Sequence, residues 1–324
     1  MVSAAFFPFV AFFFSPYRPL TFTNERTMQK RAFLTHLLGL SCLPSVLASP
    51  LEAQENSMPP ADIQRALQDI ESRARGRLGL TVLDAGSGRR WTHRADERFL
   101  LCSTFKLLLC AQVLDRAARG EERLDRQLSF RRSDLVEWSP VTKKAVGRGR
   151  LSVAQLCEAT MTTSDNTAAL LLLKTQGGPA GLTRWLRAHG DTQTRLDRSE
   201  PDLNVADPTG EWDTTTPAAM ADTVRRLCLG PGLPAKAQAQ LLTWMRASTT
   251  GAQRLRAGLP RGWQIGDKTG TGDGIANDVA IVWPPEQTAP WVVVALLSDC
   301  RSPREVQQAC LADVGRLLPR WQKA

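Results

Sequence analysis

The strand-like runs of this chain stand at its two ends, and the long helical runs stand between them. Near the start, ADIQRALQDIESRAR places Ile63, Leu67 and Ile70 at helical spacing after a helix-opening Pro-Pro. LGLTVLDAGSGRRWTHR then reads as two strands joined by a Gly-Ser-Gly turn. Near the end, IGDKTGT, IANDVAIVWP and WVVVALLSD are strand-like. SPREVQQACLADVGRLLPRW closes the chain as a helix, capped by Ser302 with Pro303 at its first turn. Between these ends lie residues 104–119, LSVAQLCEATMTT, NTAALLLLKT, TTPAAMADTVRRLCLG and PAKAQAQLLTWMRAS, all helical in period. Strands divided in this way share one sheet only if the ends return to each other. The expectation is therefore a two-layer α/β domain, drawn from residues 59–98 and 252–324, interrupted by a helical insertion at 99–251.

Composition agrees with a folded enzyme-sized chain. Its 324 residues point to about two domains. With 43% hydrophobic and 23% charged residues, a disordered chain, a collagen and a coiled-coil rod are excluded. No apolar run reaches the roughly 18 residues of a spanning helix. Three His and no C-x-x-C argue against a structural zinc site, and no metal or organic cofactor is expected.

The first residues have a different character. Seven of the 11 Phe fall within residues 1–22, together with the only Tyr, Tyr17. Residues 1–27 therefore look like a non-native upstream extension. Met28 opens a conventional order of Lys30 and Arg31, an apolar run and small residues near Ala48, which is the order of a secretory signal at 28–48. The KRAFL run leaves Sec and Tat export both open. A periplasmic or secreted protein follows. Removing the first 48 residues takes away Arg18, Arg26, Lys30, Arg31 and Glu25, leaving 37 basic and 31 acidic residues and a charge of +6. The cations are interspersed with acids and form no nucleic-acid motif, so a mixed solvated surface is expected.

Three short motifs carry chemistry. In Ser103-Thr104-Phe105-Lys106, residues three apart on a helix bring an amine to a hydroxyl that needs a base to become a nucleophile. The helix start adds free N–H groups for an oxyanion. A helix cap and a surface lysine are the plain alternative, but Lys106 sits among Phe105, Leu107, Leu108 and Leu109, a poor place for an idle charge. Ser164-Asp165-Asn166 joins two apolar helices; it is either a polar corner aimed into a cleft or an Asx-capped turn. Lys268-Thr269-Gly270-Thr271 opens a strand. Its Lys and Thr can bind a carboxylate, and Gly270 permits close backbone approach, unless it is simply a strand start. No phosphate loop fits the sequence.

In this order and spacing the motifs resemble the serine β-lactamase and penicillin-binding-protein superfamily, and the S-D-N form points to its class A β-lactamases. Arg198-Ser199-Glu200-Pro201-Asp202-Leu203-Asn204 is similar to that family's R-x-E-x-x-L-N loop. The resemblance spans about residues 59–320. It implies an α/β fold with an antiparallel sheet flanked by terminal helices, an inserted all-helical domain, an Ω-loop near 195–213 and an active site between the parts. It also implies roles. Ser103 is the nucleophile, and Lys106 or Glu200 is its base. Ser164 relays a proton, and the N–H groups of Ser103 and Thr271 form the oxyanion hole. Glu200 and Asn204 hold the hydrolytic water. Asn166, Lys268, Thr269, Gly270, Thr271, Trp138 and Arg254 surround a small-molecule β-lactam, and Arg198 pairs with Asp213. For Trp138 a packed core position is the alternative, and for Arg254 an exposed one.

The cysteines add further expectations. Cys110 and Cys157 match a disulfide of many family members, with two buried thiols as the alternative. Cys102 precedes the nucleophile as in some carbapenem-hydrolysing members, but Gly272 stands where those have its bridging partner. Penicillins and cephalosporins are the expected substrates of a monomer binding neither nucleic acid nor membrane. A D,D-peptidase would lack Glu200, and a β-lactam sensor would need a membrane-coupling segment.

Overall fold

The computed structural model describes residues 56–57, 59–285 and 289–322. The expected upstream extension and signal segment lie outside these. In chain order the elements are β1 (Asn56–Ser57), α1 (Ala61–Ala74), β2 (Arg77–Asp84), β3 (Arg90–His93), β4 (Phe99–Leu100), α2 (Phe105–Ala118) and β5 (Gln127–Ser129). Then come α3 (Thr142–Ala145), β6 (Arg150–Ser152), α4 (Val153–Thr162), α5 (Asn166–Thr175), α6 (Gly178–Ala188), β7 (Thr214–Thr215), α7 (Pro217–Cys228) and α8 (Ala235–Arg246). The chain ends with α9 (Leu255–Gly258), β8 (Gln264–Gly272), β9 (Ile275–Trp283), β10 (Trp291–Ser298) and α10 (Arg304–Gln322).

The ends of the chain do meet. Six strands form one sheet in the order β1-β3-β2-β10-β9-β8, antiparallel except for the short β1–β3 pair. β10 is buried along its whole length, as a strand covered on both faces must be. On one face α1 and α10 pack with Ile63, Leu67, Ile70, Leu311, Val314 and Leu318 turned inward. The other face carries α7 on β10 and β2, with α8 against β8. There α2 runs through the core, buried at every position from Phe105 to Asp115. A helix apolar all round belongs in a protein interior.

Two details differ from the sequence reading. Among the described residues the hydroxyl of Ser302 has no hydrogen-bond partner, so it does not cap α10; the first turn instead uses the Pro303 carbonyl, which accepts from Val306 N and Gln307 N. The helical stretch at 99–251 also holds the two-stranded ribbons β4–β7 and β5–β6, and α6, which begins with Pro at its first turn. Ribbons of two or three residues are too short for an alternating pattern to show.

Candidate active site

The nucleophile candidate sits where β8 abuts the start of α2. Residues Cys102–Thr104 form a tight 3-10 turn that runs into the helix. A Cβ on Gly270 would lie 2.8 Å from the Leu101 carbonyl oxygen, so only glycine allows β8 this close to the turn. A Cβ on Gly272 would meet Cys102 Sγ at 3.2 Å and the Asn204 carbonyl at 3.4 Å, placing the end of β8 beside both the turn and the Ω-loop.

Lys106 is the hub. Its Nζ, on a fully buried side chain, donates to Ser103 Oγ at 2.9 Å, to the Ser164 carbonyl at 3.0 Å, to Ser164 Oγ at 3.2 Å and to Asn166 Oδ1. Glu200 Oε1 lies 3.3 Å from the same amine and accepts from Ser103 Oγ at 3.4 Å. Burial pushes the Lys106 amine below the ordinary lysine value, against the pull of Glu200. The neutral form, the only form that can take a proton, is thereby favoured. Glu200 is itself clamped by Asn204, whose Nδ2 donates to Oε2 at 2.6 Å.

Lys268 enters from β8. Its Nζ donates to Ser164 Oγ at 3.1 Å and to the Thr269 carbonyl at 2.7 Å. Burial, together with the charges of Lys106 and Arg254, drives it well below the ordinary value. Ser164 Oγ therefore receives from two amines, an arrangement that can pass a proton. Thr269 shares a hydroxyl contact with Thr250 at 2.6 Å. Arg254 is buried rather than exposed. Its guanidinium donates to the Gly270 carbonyl at 2.7 Å, the Asn277 carbonyl at 2.6 Å and Thr271 Oγ1 at 2.5 Å, so it reaches the site through Thr271.

Around this centre the backbone is unusually constrained. Of the seven described non-glycine residues with positive φ, Cys102, Trp138, Ser164 and Asp213 flank or form the site. Such conformations cost roughly 1–3 kcal/mol each and persist where neighbours over-determine them. Trp138 is 63% exposed, which places it at the rim and not in the core. Its carbonyl accepts from Asn166 N and its ring N–H donates to the Thr163 carbonyl, both at 3.0 Å. Asp213 is buried, accepting from Arg198 Nε at 2.6 Å and from the backbone N–H groups of Asp197 and Arg198. This closes the base of the Ω-loop.

The disulfide expectation needs correction. Cys110 and Cys157 are both free thiols, with Cys110 Sγ donating to the Cys157 carbonyl at 3.7 Å. Burial holds the Cys157 thiol well above its ordinary value, and the two side chains pack as small apolar groups. Cys102 is likewise a free, buried thiol, pushed up to about 12 by burial and by Glu200.

Asn277 and Thr250 escaped the sequence reading, and Asp165 was read only as part of its motif. Asn277 Nδ2 donates to the Leu100 and Leu101 carbonyls, tying β9 to the nucleophile turn. Asp165, fully buried, accepts from Val141 N, Thr142 N and Ala168 N at 2.9 Å and anchors the S-D-N corner. Thr250 braces Thr269. The signal for Asn277 was present: a polar pair interrupting the apolar run of IANDVAIVWP. Among the described residues no His, Cys, Asp and Glu cluster could hold a metal ion.

Known proteins share this sequence and architecture. The model of the β-lactamase enzyme family matches residues 62–322. Beta-lactamase L2 of Stenotrophomonas maltophilia is 46% identical over 252 residues, covering 78% of this chain and 83% of its own length. Beta-lactamase CTX-M-8 of Citrobacter amalonaticus is 40% identical over 293 residues, covering 90% and 98%. Among solved structures, an ancestral class A β-lactamase is 53% identical with a TM-score of 0.77, covering 79% of this chain and 98% of that one. A β-lactamase from Xanthomonas campestris pv. campestris is 48% identical with a TM-score of 0.78, covering 79% and 96%. The chain belongs to the β-lactamase enzyme family, as a class A serine β-lactamase.

Proposed function

We propose that the protein hydrolyses β-lactam antibiotics in two steps through an ester on Ser103. The observation that carries this reading is one hydroxyl facing both a buried amine at 2.9 Å and a clamped carboxylate at 3.4 Å. Ser103 Oγ attacks the lactam carbonyl carbon, and its proton passes to Lys106, either directly or by way of Glu200, which hands it on to Lys106 3.3 Å away and is left ionised. Backbone N–H groups of Ser103 and Thr271 stabilise the oxyanion, each such donor contributing roughly 3–4 kcal/mol in related chemistry. The C–N bond then breaks. The leaving nitrogen takes a proton from Ser164, which is resupplied by its two amine neighbours. Water next attacks the ester carbon, giving its proton to Glu200, and Ser103 leaves with a proton restored.

Asn166, Trp138 and the β8 residues Lys268–Thr271 bind the substrate in this scheme, with Arg254 acting through Thr271. A D,D-peptidase or a sensor has no use for a clamped carboxylate opposite the nucleophile, so Glu200 favours the hydrolase. Penicillins and cephalosporins are the proposed substrates. The unbridged Cys102 beside Gly272 gives carbapenems no specific support. No described helix is long and apolar enough to cross a membrane. An exported monomer, acting in the periplasm on a small molecule, completes the proposal.

Ser103→Ala tests the nucleophile. The variant should fold with an unchanged melting temperature and take up no covalent penicillin in a mass measurement. An adduct on another residue of that variant would contradict the assignment.

A further inference from the structure

The S-D-N corner is held from outside by a segment that also walls a second cavity. Val141 N and Thr142 N both donate to Asp165, and Thr142 Oγ1 adds a third bond to the same carboxylate. The Val141 side chain meanwhile lines a cavity of about 420 Å³ between α3 and α4. Val141, Ala145, Leu151 and Ala159 supply its apolar lining. Lys144 and Arg148 stand on it as exposed cations that form no ion pair among the described residues, opposed by the single carboxylate of Glu158. At its other end lies Thr162, whose carbonyl accepts both Thr249 N and Thr249 Oγ1 at 2.9 Å, one residue from the Thr250 that braces Thr269. None of these lining residues belongs to the catalytic centre.

We propose that this cavity is a second, non-catalytic site for a small monoanion with an apolar body, such as an aryl carboxylate, and that its occupancy is felt at Ser164 and Asn166. The size fits a bicyclic ring system, since small-molecule pockets run from about 300 Å³ upward. The charge follows from two cations that form no ion pair among the described residues and line the cavity with one acid, an excess that a carboxylate neutralises with charge-assisted hydrogen bonds. The coupling follows from Val141, which touches the ligand with its side chain and Asp165 with its N–H. A shift of α3 by a bound ring must therefore be taken up at the carboxylate that fixes the S-D-N corner.

The probe is 2-naphthoate, titrated into the purified protein and followed by calorimetry and by backbone NMR. One saturable equivalent is expected, with shifts centred on residues 141–148 and 155–162. Lys144→Gln with Arg148→Gln should weaken binding at least about tenfold, and Glu158→Gln should tighten it. Ala145→Phe should abolish it by filling the cavity. On lactam turnover the probe should change kcat and leave KM in place. The binding measurements stand whether or not Ser103 turns over a lactam, so failure of this site and failure of the proposed function are separable. The proposal is overturned by unsaturable binding, by equal affinity in the Lys144/Arg148 variant, by equal binding of 2-naphthylmethylammonium, by purely competitive inhibition, or by binding that leaves kcat unchanged.

Discussion

The two faces of the central sheet are built for different ends. Behind the sheet, α1 and α10 close over a core joined by indoles: Trp91 lies 6.2 Å from Trp321 in a stacked pair and 5.9 Å from Trp291, and Trp263 meets Trp291 edge-on at 5.8 Å. In front, around α2, the interior holds Lys106, Lys268, Asp165, Glu200 and Asp213, all buried. Aromatic burial stabilises a fold outright, whereas each buried charge is a cost that its partners must offset. Among the described residues no carboxylate is bonded to Lys268; its partners are Ser164 Oγ and the Thr269 carbonyl, and it lies near two other cations. The comparison teaches that the back face secures the sheet and the front face uses that security to hold amines out of water, with their charged forms disfavoured, beside a hydroxyl.

The largest expected effect is on the back face. Trp321→Ala leaves a cavity in the indole cluster and should cost about 3–5 kcal/mol, a fall in melting temperature of roughly 6–15 °C. Turnover measured well below the new melting point should stay near wild type. Calorimetry and steady-state kinetics on one preparation check both halves, and a large loss of kcat in cold, folded protein would break the division of labour.

A smaller effect of opposite kind is expected in front. Lys268→Met removes a buried cation while keeping much of the volume. It should leave the melting temperature unchanged or raise it, while kcat/KM falls by about 100-fold or more. A variant that melts well below wild type would show Lys268 to be structural.

The smallest effect is a pH dependence of that same pair of proteins. Because burial and like charges depress Lys268, the unfolded chain holds one more proton between the depressed value and the ordinary 10.5. Wild-type stability therefore rises with pH across that window, and the Lys268→Met protein lacks this rise. The stability advantage of the variant should shrink as pH climbs toward 10.5. Melting curves of both proteins at several alkaline pH values check this, and an advantage that grew with pH would reverse the sign.

What the sequence made legible follows the same division. β2, β9, β10 and the buried helix were readable because each is a largely apolar run of eight residues or more bounded by turn or polar residues. Ser103 and Lys106 were readable because an amine three residues along a helix can reach a hydroxyl; Ser164, Glu200 and Lys268 were readable through motifs of the family the chain resembles. Asn277 showed only as a polar interruption of an apolar run; its role was not readable, because it acts on the carbonyls of Leu100 and Leu101, more than 170 residues away along the chain. Asp165 was visible as part of a motif, but its bonds to Val141 and Thr142 were not. Arg254 was readable as a residue near the substrate, but its burial was not, since no local pattern reports that its guanidinium bonds the carbonyls of Gly270 on β8 and Asn277 on β9. Helix α6 hid behind its opening Gly-Gly-Pro, which reads as a break although Pro is favoured in the first helical turn.

The central claim is that Glu200, clamped by Asn204 across from Ser103, clears the ester that the buried amines help to form. Glu200→Gln keeps the size of the side chain and removes its basicity. Mass spectrometry of this variant after mixing with a penicillin should find the protein heavier by one intact antibiotic mass, with deacylation slowed by at least about 100-fold. Turnover at the wild-type rate, with no accumulated adduct, would contradict the account.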